Sequence, residues 1–138
     1  MNLHSRFTFS VKMLKPRVLT EVLAQVTMDG VESSFLFKVD GTLIAHYCLN
    51  SSPTDPRVGS AIASNIWSIY HKNGRGSLDE DKLQMVLMEN QGGRIVIKHV
   101  NNLVICLCSN TSVELGMLTK KCDALVEYLQ EPLSKVTL

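Results

Sequence analysis

The sequence predicts an α+β domain, a five-stranded antiparallel sheet with helices on both faces, in the order α-β-β-α-β-β-β-α. Three observations carry this expectation. Apolar residues recur at helical spacing in three separate stretches. Strand-like runs occur as one pair and one meander, joined by short turns rich in Gly, Asp and Asn. The chain is 138 residues long, near one domain, and long enough to bury a core without disulfide staples.

The first helix opens at Pro16, a residue suited to the first turn because its missing N–H is not needed there. Val18, Leu19, Val22, Leu23 and Val26 form its stripe, and Asp29-Gly30 ends it. Val31–Lys38 reads as a strand with Phe35 and Phe37 on one face and Leu36 on the other. Asp40-Gly41 then marks a hairpin, since both residues accept positive φ, and residues 42–48 form the return strand. Asp55-Pro56 reads as the N-cap and first turn of a second helix, which continues to Lys72 and stops at Asn73-Gly74. Residues 82–89, 94–100 and 103–109 form three further strands, with Gln91-Gly92-Gly93 and Asn101-Asn102 as turns. The last helix opens on the capping-box pattern Thr111-Ser112-Val113-Glu114. Its stripe is Leu115, Leu118, Cys122, Leu125, Val126 and Leu129, and Pro132 closes it.

Composition excludes several classes of function. Hydrophobic residues make up 45% and charged residues 20%, as in an ordinary globular chain. Lys+Arg is 14 against Asp+Glu 13, a net +1 that lacks the basic excess of a nucleic-acid binder. The longest apolar run is Leu103 to Cys108, far short of the ~20 residues that span a bilayer. Neither a secretory signal nor a lipidation motif is evident, so disulfides are not expected among Cys48, Cys106, Cys108 and Cys122. Residues 1–20 carry no acid, but they lack the amphipathic period of a mitochondrial presequence. They read as a flexible N-terminal extension over residues 1–12, before a single domain over residues 13–138.

No catalytic constellation emerges. Gly74-Arg75-Gly76-Ser77 lacks the spacing and the lysine of a phosphate loop. Asp79-Glu80-Asp81 lacks the alternating ligands of a calcium loop and reads as a solvated acidic turn. Cys106 and Cys108 share one side of a strand, not the Cys-x-x-Cys of a redox helix or the four ligands of a zinc site, so they are expected as core thiols. His46, His71 and His99 have no paired metal spacing, and no Ser lies in Gly-x-Ser-x-Gly. Neither cofactor nor metal is expected, and the chain does not read as an enzyme.

The second helix carries more apolar surface than one core needs. Val58, Ile62, Ile66 and Ile69 form one stripe, expected to face the sheet. Gly59, Ala63, Trp67 and Tyr70 form an adjacent stripe, expected to meet a partner helix: small residues allow close approach and aromatics serve as anchors. Ser60, Ser64 and Ser68 are expected on the wetter side. The run Leu83-Gln84-Met85-Val86-Leu87-Met88 follows the helix crossover and opens the meander, a place expected at a sheet edge; it lacks the charges and prolines that guard an edge, which points to sheet extension across a dimer.

Met13-Leu14-Lys15-Pro16, Ala61-Ile62-Ala63-Ser64-Asn65-Ile66-Trp67, Gly116-Met117-Leu118 and Ala124-Leu125-Val126 through Glu131-Pro132-Leu133 resemble the Roadblock (dynein light chain) family, in its Ragulator branch. The resemblance covers residues 13–138. It implies a profilin-like α/β/α sandwich, with the second helix on one sheet face and the terminal helices on the other. It further implies a dimer through the second helix, residues 57–72, and the third strand, residues 82–89. The expected contact residues are Gly59, Ala63, Ile66, Trp67, Tyr70, Gln84, Val86 and Met88. By the same resemblance the partners are a second Roadblock-type scaffold subunit, a lipid-anchored subunit and Rag GTPases. Membrane contact would come only through partners, on the cytoplasmic face of late endosomes and lysosomes, in MAPK and amino-acid-dependent mTOR signalling. A homodimeric dynein-type light chain is the alternative within the family. The family's chains begin near Met13, which again sets residues 1–12 apart.

Overall fold

A computed structural model of the chain describes residues 16–49, 56–77 and 85–134. Eight elements follow in order: α1 (Pro16–Val26), β1 (Val31–Lys38), β2 (Leu43–Cys48), α2 (Pro56–Ser77), β3 (Met85–Asn90), β4 (Gly93–Val100), β5 (Leu103–Ser109) and α3 (Leu115–Ser134). The expected extension, the N-cap Asp55, the acidic turn Asp79-Glu80-Asp81 and Gln84 lie outside the described residues.

The five strands form one antiparallel sheet in the order β2-β1-β5-β4-β3. β5 is fully internal, which suits its near-continuous apolar run: Leu103, Val104, Ile105, Cys106 and Leu107 are all buried. The turns match the sequence reading. Asp29 and Gly30 both have positive φ, and Val31 N donates to Met28 O at 3.1 Å, so the chain reverses tightly from α1 into β1. Gly30 is required twice over: its φ is +96°, and a Cβ there would sit 2.3 Å from Val113 Cγ2. In the β1–β2 hairpin, Asp40 Oδ1 accepts from Thr42 N at 2.9 Å, and hydrogen bonding to Thr42, first its side chain and then its backbone, lowers the Asp40 pKa from its ordinary 3.8.

α1 lies over β1 and β2, and α3 lies over β4 and β5 on the same face. Between them they enclose the larger core, which includes Leu19, Leu23, Leu36, Ile105, Leu107, Leu118 and Leu129. Buried polar groups at this interface are satisfied: Thr27 Oγ1 lies 2.7 Å from Ser34 Oγ and donates to Leu23 O at 2.7 Å. α2 lies on the opposite face, over β1, β2 and β5, around a smaller core of Phe35, Phe37, Ala63, Trp67, Val86, Ile97, Val104 and Cys106.

Three helix boundaries differ from expectation. α2 runs through Asn73-Gly74 to Ser77, because an isolated glycine weakens a helix by about 1 kcal/mol without ending it. α3 begins at Leu115, and its first backbone bond goes from Leu118 N to Glu114 O at 3.0 Å. The residues before it are held by Asn110, whose Oδ1 accepts from Ser112 N at 2.9 Å and from Ser112 Oγ. That local side-chain turn replaces the capping box expected at Thr111. Pro132 lies inside α3, not beyond it, with its ring buried in the final turn, where few backbone bonds remain to be lost.

Candidate partner interface

Strands about 4.8 Å apart make a five-stranded face about 20 Å wide, while a helix with its side chains is about 10 Å across. One face therefore takes two helices. Among the described residues the α1/α3 face has two, but the α2 face has one, seated toward β1, β2 and β5. Over β4, beside α2, a groove of about 270 Å³ remains, lined by Phe35, Ile62, Ile66, Ile95 and Cys108.

The structure turns α2 the other way from the sequence reading. Gly59, Ala63 and Trp67, expected at a partner, face their own sheet: Ala63 and Trp67 are each 3% exposed. Gly59 approaches so closely that a Cβ there would lie 3.1 Å from the Phe35 ring. Trp67 closes the far end of this core, its ring 5.7 Å from that of His99. Ser60 and Ser64 are buried rather than wet. Ser64 Oγ donates to Val39 O at 2.7 Å and Ser60 Oγ to Gly41 O at 3.4 Å, which hooks α2 onto the β1–β2 hairpin. Small and hydroxylated residues face inward because the helix sits close to the sheet, and the phenylalanines of β1 supply the volume.

The branched stripe consequently faces out. Val58, Ile62 and Ile69 are 52%, 53% and 57% exposed, with Tyr70 similarly open and Ile66 half-buried at the groove. Residues 58–70 contain no charged side chain. Sequence reasoning named Val58, Ile62 and Ile69 but assigned them to the sheet.

β3 is an edge strand, as its place after the helix crossover and at the start of the meander predicts, and no strand lies beside it among the described residues. In an antiparallel pair about half of an edge strand's backbone groups point away from its neighbour. Val86 is buried against the α2 core, while Leu87 and Met88 are 47% and 37% exposed on opposite faces. The strand's far end is tied down by Arg94, whose Nε donates to Glu89 Oε1 at 2.8 Å and whose Nη1 donates to the carbonyls of Thr111 and Val113. Of the expected contact residues, Ile66, Tyr70 and Met88 thus lie on the open side, and Gly59, Ala63, Trp67 and Val86 lie beneath it.

Cys106 and Cys122 are buried in the two cores, and Cys48 and Cys108 are half-buried beside the smaller one. Burial pushes Cys48 up, and Cys122, inside the larger core, up to about 12. Cys106 is buried and held well above the usual thiol range by its hydrogen bond to Cys108 and by burial. Cys108 is half-buried at the groove, and its hydrogen bond with Cys106 lowers its pKa. Among the described residues no cluster of His, Cys, Asp or Glu could hold a metal, and no helix is long and apolar enough to cross a membrane.

The chain is thus an α/β/α sandwich with one sheet face half-covered and one sheet edge unguarded. Residues 18–109 match the Roadblock/LC7 domain, and the chain belongs to the Roadblock/LC7 family. It is 27% identical over 127 residues to a Ragulator complex protein LAMTOR2 homolog of Caenorhabditis elegans, covering 91% of this chain and 97% of the relative. Two solved structures share its fold. A Roadblock/LC7 domain from Streptomyces avermitilis superposes with a TM-score of 0.75 at 15% identity, covering 83% of this chain and 97% of the other. Myxococcus xanthus MglB gives 0.75 at 13% identity, covering 86% and 96%.

Proposed function

We propose that this chain is a non-catalytic scaffold subunit that pairs with a second Roadblock-type subunit through the outward stripe of α2 and the edge of β3. The observation that carries this reading is the half-covered sheet face: the partner's α2 would supply the second helix that the face lacks, and its β3 would continue the sheet. Val58, Ile62, Ile66, Ile69 and Tyr70 form the helix contact, and Leu87 and Met88 flank the strand contact. Gly59, Ala63, Trp67 and Val86 support that surface from beneath.

Similarity to a protein named as a Ragulator LAMTOR2 homolog supports placing the pair in a Ragulator-type complex. In that setting a lipid-anchored subunit holds it on the cytoplasmic face of late endosomes and lysosomes. There it supports MAPK signalling and Rag GTPase-dependent mTOR activation, reaching the membrane through partners.

Light scattering after gel filtration, on the chain alone and mixed with a Ragulator Roadblock partner, tests the proposal. A one-to-one pair on mixing is the expected result, and Ile62→Arg weakens it by about 100-fold or more. A stable self-dimer that ignores the partner would favour the homodimeric light-chain reading. Unchanged pairing by Ile62→Arg would remove α2 from the interface.

A further inference from the structure

The sheet has a second open edge, at β2. Among the described residues β2 pairs with β1 alone, so one side of its backbone faces no strand. From Ala45 to Cys48 its pairing with β1 is regular; the register shift lies nearer the hairpin, between Leu36 and Phe37. Tyr47 packs against the larger core from this rim and is only half-buried, and His46 is exposed. The pairing proposed above uses β3, at the far side of the sheet, and leaves the β2 edge uncovered.

The chain carries a segment matched to this edge. Phe7, Phe9, Val11 and Met13 alternate with Thr8, Ser10 and Lys12, a period of two unbroken by Gly or Pro. Phe, Thr and Val are also residues that favour strands. A helix lying on a membrane surface would instead repeat its apolar residues every three or four positions.

Chain direction delivers the segment to β2. α1 lies over β2 and turns tightly into β1 at its C-terminal end, so it runs antiparallel to β1 and parallel to β2. Its 11 residues span about 16 Å, the length of about five strand residues. Pro16 is therefore level with Leu36 and its register partner Ala45. A strand that leads into α1 from this point runs antiparallel to β2, and residues 12–15 give a connection of ordinary length.

We propose that residues 7–11 dock on β2 as a sixth, antiparallel strand, in place of a flexible extension. Directly opposite residues of an antiparallel pair share a face. The register that sets Phe9 opposite Tyr47 and Val11 opposite Ala45 lays the apolar row on the α1 side, where Tyr47 and Ala45 already join the larger core. A slip of one residue would put Thr8 and Ser10 there, so the alternation selects this register.

Hydrogen–deuterium exchange of the full chain, resolved peptide by peptide with mass spectrometry, tests the docking. Amides of residues 7–11 exchange at least about tenfold more slowly than in a synthetic peptide of residues 1–15. Amides of β2 exchange more slowly in the full chain than in a chain begun at Met13. Phe9→Ser combined with Val11→Ser returns residues 7–11 to the peptide rate, whereas Ser10→Thr, on the opposite row, leaves their protection intact. Because β2 and β3 are opposite edges, the protection holds in the chain alone and in the pair, whatever the fate of pairing at β3. Residues 7–11 exchanging at the peptide rate would overturn the proposal. So would β2 amides unchanged by the truncation, which would place the segment elsewhere, or protection that appears only with phosphatidylserine vesicles, which would make it a membrane contact.

Discussion

The two faces of the sheet are built from the same five strands and end up differently. On one face α1 and α3 divide the strands between them and close a core in which Leu36, Ile105, Leu107 and Leu118 are fully buried. On the other, α2 alone covers β1, β2 and β5 and leaves a groove over β4. The strands supply apolar residues to both faces alike, so the difference lies in helix count. A face that lacks one helix has apolar area to give to another molecule, and the edge next to the groove, β3, is also the edge without gatekeeping residues.

The contrast is most directly broken at Trp67, because it separates a core residue from an interface residue. Trp67→Ala is expected to destabilise the chain by about 3–5 kcal/mol, comparable to Leu107→Ala on the closed face. Both should lower the melting midpoint, followed by circular dichroism, by roughly 10–20 °C. A Trp67→Ala chain that melts normally yet fails to pair would mean that α2 presents its small-residue side after all. The next effect is at the edge. Leu87→Lys places a gatekeeping charge on an exposed edge position and should change chain stability by less than about 0.5 kcal/mol. It should also reduce aggregation of the unpaired chain on standing, measured by light scattering; an unchanged aggregation rate would show that β3 is not the adhesive edge.

The smallest expected effect is at the β1–β2 hairpin, which α2 grips through Ser60 and Ser64. The folded pKa of Asp40 is depressed, so its contribution is present above the unfolded value near 3.8 and is lost as pH falls through the folded value. Asp40→Ala should therefore lower stability slightly at neutral pH, where that contribution is present, and flatten its fall below about pH 4, where the two chains converge. An identical acid limb in wild type and variant would remove the Thr42 contact from the account.

The strands were legible in the sequence because alternation, turn chemistry and uninterrupted apolar runs all agree: Val31–Lys38 and Leu103–Ser109 have the same limits in both readings. The edge position of β3 was legible from chain order, because the strand follows the helix crossover and opens the meander. The orientation of α2 was not. A helical wheel shows which residues share a face, but with two apolar stripes it cannot show which one turns inward. Here the decision rests on tertiary facts: the phenylalanines of β1 fill the space beneath the helix, and the serines find carbonyls on a hairpin distant in sequence. The start of α3 was misplaced for a local reason, since Asn110 offers Ser112 a better partner than the Thr111 cap offers the helix.

Under the proposed pairing, the exposed β3 edge would also make the abundance of this chain depend on another gene product. A chain that folds before meeting a partner carries an open hydrogen-bonding edge and an apolar stripe through its whole free lifetime, the features by which chaperones and proteases sort nascent proteins. By mass action, pairing removes the chain from that pool and raises its apparent stability with partner concentration. If the proposed pair forms, excess synthesis of one subunit would feed turnover rather than assembly, and the ratio of the two would be set at the sheet edge as much as at the ribosome.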